Sequence, residues 1–548
     1  MWSATKKFFF LIGMIVLSGC MQQEKTEKVF VAHEEKQVSK EIEKEAIVED
    51  EEEGTSLPFQ IIDAKRNIEN IQFERFFEKG KVEKIDLFPN EMFPEVYTEM
   101  HGVLTFRGNH IRNQASFGNA SIHERRLEQK WAFETSSIGE WGGGAGWTGQ
   151  GSIIKWDEAV KKEMNLVKPF STDSSFIEVI QPSLDGKIHF LDLMTGRKTR
   201  EPIAIHNPIK GSVSIDPRGY PLLYVGQGIR QTKEFGYRIY SLLDGKLLHF
   251  INGMESLSYR EWAAFDGAPL INRETDMMYI GGENGILYQL KLNTDYQQEN
   301  NTITLRPETI MYRYKINGNK RQGIESSVAA YRNLLFFADN GGSVQAIDIQ
   351  EMRPVWALGG TDDTDATIVV DVEKDAPMLY TGTEVDFQGA KGISIIRKLD
   401  GLTGAEVWKK EYAAYSIVGE HPVNGGLLAT PVSGKEKISN LVIFTIARVG
   451  NMEKGLMVAL DKNSGTEVWR KEMDYYSWSS PVDVYTETGE SFLIQGDSNG
   501  QLHLIDAANG QTLHSINLGA NIEASPAIYE NMIVVATRGG YIYGIEIK

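Results

Sequence analysis

Five times along this 548-residue chain a short strand runs into an aspartate position, turns, and meets a large residue eight positions later. The clearest copy is Gly455 to Trp469, GLMVALDKNSGTEVW. Leu456, Val458 and Leu460 alternate with Met457 and Ala459, the period-two pattern of a half-buried strand. Asp461 can accept backbone N–H groups in the turn, and Gly465 supplies the positive φ that a tight turn needs. The other copies start at Asp192, Asp348, Asp400 and Asp506 and reach Arg200, Trp356, Trp408 and His514. Asp348 has Met352 where the turn glycine should stand. One such hairpin is commonplace, but five in register are a repeat, and a fixed-period repeat dictates the architecture.

Two markers divide the chain into units. Strands precede the aspartate position at 188–191, 238–243, 286–290, 344–347, 393–399, 456–460, 502–505 and 541–545. Small or polar residues open each unit: Thr148-Gly149-Gln150, Ser212-Val213-Ser214, Asp266-Gly267-Ala268-Pro269, Ser326-Ser327, Ala366-Thr367, Thr430-Pro431, Ser480-Pro481 and Ser525-Pro526. The markers alternate at spacings of roughly 40–60 residues, as in four-stranded propeller blades. The last unit stops at Glu546 without an outer strand, whereas LEQKWAF at 127–133 is an outer strand without a blade. Pairing them shuts the ring and removes the exposed sheet edges. The predicted fold is therefore all-β, an eight-bladed β-propeller of four-stranded antiparallel blades, closed by an N-terminal outer strand and preceded by a disordered acidic tether. The 53 glycines suit many tight turns.

The N-terminus carries its own signal. Lys6 and Lys7 precede the apolar run Phe8 to Leu17, which is too short to span a bilayer and has the form of a secretory leader. It ends in Leu17-Ser18-Gly19-Cys20, which resembles a bacterial lipobox, and Cys20 is the only cysteine of the sequence. The expected organisation is a lipoprotein signal peptide over 1–19, a disordered acidic tether over 20–57, an extended transition segment over 58–103 packed on the outside of the main domain, and the propeller over 104–548. Between 21 and 57 there are 12 acidic against 5 basic side chains, too polar a stretch to offset the entropy of ordering. A lipid on Cys20 would place the chain on a bacterial cell membrane, facing outside the cytoplasm. The net charge of −18 speaks against nucleic acid as a partner.

The consensus Gly-x-x-x-Ala-Leu-Asp-x-x-Thr-Gly-x-x-x-Trp resembles the PQQ-type (pyrroloquinoline quinone enzyme) propeller repeat over about residues 104–548. That resemblance implies eight blades, with Trp131, Trp356, Trp408 and Trp469 each docked on a peptide of the neighbouring blade. The family divides into quinoprotein dehydrogenases and non-catalytic propellers, including BamB-like lipoproteins of envelope assembly. The alcohol-oxidising dehydrogenases carry two adjacent cysteines beside the quinone, and this sequence has no such pair. The resemblance therefore implies a scaffold without catalysis and with no cofactor, its partner an envelope protein or a cell-wall glycan. The alternative is a quinone-dependent oxidoreductase of a branch lacking the cysteine pair, with PQQ and calcium.

Residues just before the unit openers fall near the mouth of the central channel. They give a candidate binding rim of Trp147, Gln150, Trp262, Glu325, Trp478 and Glu523, with Trp141, His421 and Asn424 nearby. Indoles at a wet rim suit stacking on a sugar, a quinone or a peptide side chain; the bland alternative is packing on loops. Asp362, Asp363 and Asp365 in TDDTD have oxygens for a hard cation, but an acidic loop of this kind reads first as solvated. Gly142 to Gly146 lacks the lysine and helix of a phosphate loop, and the ten histidines form no zinc motif.

Overall fold

A computed structural model describes residues 60–548 apart from Asp86, Leu87 and Thr148. These residues form eight four-stranded antiparallel blades in a propeller ring. In chain order, blade 1 spans Ser152–Ile154 to Ile203–Ala204, blade 2 Ser214–Ile215 to Leu247–Asn252, and blade 3 Leu270–Asn272 to Glu308–Ile316. Blade 4 spans Ala329–Tyr331 to Arg353–Leu358, blade 5 Val369–Glu373 to Glu406–Ala414, and blade 6 Val432–Ser433 to Glu467–Met473. Blade 7 spans Val482–Tyr485 to Thr512–Asn517. Blade 8 takes its three inner strands from the C-terminus and its outer strand from Leu127–Glu134, which pairs antiparallel with Tyr541–Ile547. The ring closes as the orphan strand and the truncated last repeat predict.

The repeat works across blades. Trp131, Trp356, Trp408 and Trp469 donate their Nε1–H to the carbonyls of Leu193, Gly401, Lys462 and Ala507, at 2.8, 2.9, 2.9 and 3.1 Å. Each acceptor is the residue after the turn aspartate of the next blade. Arg200 serves blade 1 in the same way, donating to Leu242 at 2.9 Å. In blade 2, Ser241 takes the aspartate position, since Gly245 N–H donates to its carbonyl at 2.9 Å as Gly465 does to Asp461 at 2.8 Å. Between blades 3 and 4 the link comes from an inner strand instead, Gln289 Nε2 to Ile349 at 2.9 Å.

The strand Gly455–Asp461 is buried through Leu460 on both faces, not half-buried as its alternation suggests. Each blade is sandwiched between two others, so both faces of a middle strand lie against protein. Apolar clusters fill these gaps: Tyr312 and Tyr314 of blade 3 meet Leu335 and Phe337 of blade 4. The unit openers explain themselves as a belt around the channel. Backbone N–H groups of Gln150, Ala268, Ser327, Thr367, Thr430 and Ser480 donate to the hydroxyls of Ser212, Ser327, Thr367, Thr430, Ser480 and Ser525 in the adjoining blade.

The segment before the first blade departs from a simple outer wrap. Ile71–Phe77 pairs with Glu308–Ile316, and Gly80–Val82 follows, so the transition segment extends blade 3 to six strands and covers its outer edge. Further on, the polar stretch FRGNHIRNQASFG at 106–118 plugs the channel. Gly102–Val103 pairs with the innermost strand of blade 1, and Ser116–Phe117 pairs parallel to that of blade 8. Between them, the carbonyls of Leu104, His110 and Ile111 accept N–H bonds from Ile215, Ala330 and Val370 at 2.7, 2.7 and 2.9 Å. Arg107 donates to the carbonyls of Pro431 and Pro481 at 2.7 and 2.6 Å; Arg112 reaches Val328, Phe106 and Ala268 at 2.7, 2.7 and 3.0 Å. Short innermost strands leave backbone groups facing the channel, and buried groups of that kind need partners. The two fully buried guanidiniums supply them, and burial lowers both to about 10.

Candidate functional site

With the plug beneath, the channel opens on the face formed by the loops that lead from one blade to the next. Phe106 of the plug floors the mouth, and Trp147, Lys210, Asp266, Glu325 and Asp365 wall it. The space they enclose is about 20 Å³, room for a single water.

One side of the mouth is aromatic and cationic. Trp147 adopts a left-handed backbone (φ 50°), rare for a bulky side chain, and its N–H donates to Glu523 Oε2 at 3.0 Å. Its ring lies 6.0 Å from that of Trp478, tilted by 50°. The Lys210 ammonium sits 4.0 Å from the Trp147 ring centre, and Arg448 lies 3.8 Å over Tyr476. The Nε1–H groups of Trp147 and Trp478 are buried with no hydrogen-bond partner among the described residues. Burial raises the Glu523 carboxyl, against the pull of Arg538 at 3.9 Å.

The opposite side is acidic. Lys210 Nζ pairs with Asp266 at 2.7 Å and with Glu325 at 3.4 Å, and Glu283 completes a triad whose carboxylate oxygens lie within 4.8 Å of one another. Burial pushes Asp266 up to about 6, whereas Glu325, against its own desolvation, is held down by Lys210 and by Asn340, which donates to it at 3.0 Å. The desolvation of Lys210 is outweighed by Asp266 and Glu325, so its ammonium stays charged. Asn340 leads on to a second triad, Asp363, Asp365 and Glu384, again within 4.8 Å. Burial first, and then neighbouring carboxylates, raise all three; Asp386 beside them is raised to about 6 by burial and by Asp362.

Of the residues expected at the rim, Trp147, Trp478 and Glu523 come together and Glu325 faces them across the mouth. Gln150 does not reach the rim: it is buried, accepts the Arg107 N–H at 2.9 Å and donates to Pro526 at 2.6 Å. Its role is to fasten the plug to blades 1 and 8. Trp262 stands apart, 46% exposed. Trp141 is half-buried, His421 is exposed, and Asn424 donates to Glu384 at 3.3 Å. The TDDTD loop is not solvated: Asp362 is buried and Asp363 and Asp365 are partly so. Lys210, Glu283, Glu384 and Asp386 did not stand out in the sequence, and Asp266 did so only as part of a unit opener, because they come from four separate loops or strand ends with no common spacing. Cys20, the signal peptide and the acidic tether lie outside the described residues.

The dehydrogenase branch of the repeat implies a quinone with calcium, and the residues present do not fit the quinone. Pockets for organic ligands run to roughly 300–1,000 Å³, against about 20 Å³ enclosed here. The adjacent cysteines are also missing, since Cys20 is the sequence's only one. The carboxylate triads could hold a hard cation by themselves.

Residues 453–548 match the family described as outer membrane protein assembly factor BamB. The chain is similar to the BamB of Kangiella koreensis, 32% identical over 95 residues, which are 17% of this chain and 23% of that relative. It is also similar to the BamB of Moranella endobia, 26% identical over 199 residues, 35% of this chain and 47% of the relative. The matches thus span less than half the length of either relative. Among solved structures, the quinohemoprotein alcohol dehydrogenase of Comamonas testosteroni shares the fold, with a TM-score of 0.53 and 13% identity over 81% of this chain and 80% of that one.

Proposed function

We propose that this PQQ-repeat β-propeller, similar to the BamB proteins, is a non-catalytic scaffold of the bacterial envelope whose mouth face docks an envelope protein. In this reading a lipid on Cys20 anchors it to the membrane and the acidic segment after it is the tether, with the propeller outside the cytoplasm. The observation that carries the docking is the exposed apolar side chains of the mouth face, outside the Trp147–Trp478 rim. Trp262 (46% exposed), Phe387 (44%) and Val418 (57%) project from mouth-face loops, among charged groups. Exposed apolar side chains ringed by polar ones are the usual make-up of a protein-binding surface.

The test is capture of partners by the full-length protein from detergent-solubilised membranes. The wild type is expected to retain an envelope protein that a Trp262→Ala/Val418→Asp variant loses. Identical capture by both would remove these mouth-face side chains from the reading. Retention on a wall-glycan column that Trp147→Ala and Trp478→Ala abolish would assign the mouth to a glycan instead. Cys20→Ser is expected to move the protein out of the membrane fraction.

The enzyme reading has the fold in its favour but not the volume of the mouth. Adding PQQ and calcium to purified protein distinguishes the two: a tightly held chromophore with substrate-dependent dye reduction would overturn the scaffold.

A further inference from the structure

We infer that Asp363, Asp365 and Glu384, with Asp386 beside them, bind a divalent cation of the calcium–magnesium class that fastens together two mouth-face loops of blade 5. The ligands come from separate pieces of chain. Asp363 and Asp365 lie in the loop that enters the blade, and Glu384 and Asp386 in the loop between its second and third strands. The loops already touch through the backbone, Glu384 N–H donating to the Asp363 carbonyl at 2.8 Å.

The geometry suits a small hard ion. One oxygen from each of Asp363, Asp365 and Glu384 lies within 4.8 Å of the others. Oxygens bound to calcium at about 2.4 Å stand no farther than about 4.8 Å apart. Glu384 is fully buried (0% exposed) and its Oε1 has no hydrogen-bond partner among the described residues; Asp386 Oδ1 is likewise unpartnered there. A buried carboxylate oxygen without a partner is costly, and here it is aimed among other carboxylates.

The neighbouring triad shows what is missing. Asp266, Glu283 and Glu325 are just as close together, but Lys210 is placed among them at 2.7 and 3.4 Å. Among the described residues no lysine or arginine forms an ion pair with Asp363, Asp365, Glu384 or Asp386. Among the described residues the side-chain N–H donors to the group are neutral amides, Asn340 to Asp365 at 3.5 Å and Asn424 to Glu384 at 3.3 Å. One triad carries its own cation, and the other is built alike without one. The alternative to a cation is carboxyls that share protons.

The experiment uses the full-length protein, stripped with EDTA and titrated with calcium and then magnesium by calorimetry. One site per chain is expected, with Kd between about 10⁻⁷ and 10⁻³ M, together with a higher Tm in calcium than in EDTA. Glu384→Gln is expected to weaken binding by at least ~10-fold, as loss of a charged ligand does. Glu283→Gln, in the triad that holds Lys210, should leave it within about twofold. Hydrogen exchange of the wild type provides a readout that needs no variant: calcium should slow exchange in 359–368 and 383–391. No heat, no Tm shift and unchanged exchange with either ion would overturn the site in favour of shared protons. Loss of binding in Glu283→Gln but not in Glu384→Gln would overturn its placement.

Discussion

The indole of Trp408 in blade 5 covers Gly465 in blade 6, so closely that a Cβ there would lie 2.8 Å from Cδ2, while its Nε1–H donates to Lys462 at 2.9 Å. Gly465 has φ +67°. The glycine is thus required twice, once by the turn and once by the ring that lies on it. The same contact recurs as Trp131 on Gly196, Trp356 on Gly404 and Trp469 on Gly510, at 2.6, 2.8 and 2.6 Å.

Substituting Gly465→Ala should cost about 2–4 kcal/mol, combining a left-handed alanine with overpacking. Trp408→Phe keeps most of the apolar cover and loses the hydrogen bond, for about 1 kcal/mol. Urea unfolding of both variants checks the order. Equal costs would mean that the ring contact contributes nothing beyond the bond.

Arg112→Met should be among the most damaging single changes, at about 3–5 kcal/mol, because it leaves the buried carbonyls of Val328, Phe106 and Ala268 without their donor. Arg112→Lys should recover only part, since an ammonium cannot span acceptors from three segments. Thermal melts of the two variants, compared with wild type, read this directly.

Ring closure rests on Trp131 and its strand. Trp131→Ala removes a buried indole and the bond to Leu193, and is expected to cost about 3–5 kcal/mol. Limited proteolysis should then cut first around residues 127–134, ahead of any blade core.

Asp386 sets a pH dependence. Burial and Asp362 hold it near 6, above its unfolded value of about 3.9. The folded protein therefore keeps a proton that the unfolded chain has lost, so this stability is present below about pH 4 and is lost as pH rises through about 6. In EDTA, Asp386→Asn should be more stable than wild type at pH 7.5, by up to about 3 kcal/mol, and equal to it near pH 4. Urea midpoints at both pH values give the sign. Saturating calcium should reverse the order at pH 7.5.

The blades were readable because each repeat carries its reason locally: an alternating strand, an aspartate and glycine for the turn, and a tryptophan at fixed spacing. Even the degenerate copy follows the rule, Ser241 and Gly245 keeping the turn bonds without the aspartate. The openers were visible as small or polar residues, in the last three units a threonine or serine before proline, although their role as a belt of inter-blade hydrogen bonds needs the closed ring. The rim was legible in part. Trp147, Trp478 and Glu523 follow from standing just before openers, but Gln150, itself part of an opener, is spent on the plug.

Sequence alone settled the ring, its number of blades and its closure, since these depend on periodicity and on matching a missing strand with a spare one. Tertiary structure decided what occupies the centre. A polar stretch with two arginines reads as surface because a buried guanidinium is costly, unless backbone carbonyls converge on it from several directions; only the closed ring brings Pro431, Pro481, Val328 and Ala268 there. The acidic triads have the same origin. Asp363 and Glu384 stand 21 positions apart in the chain, and it is the folding of blade 5 that turns two ordinary acidic loops into one cluster.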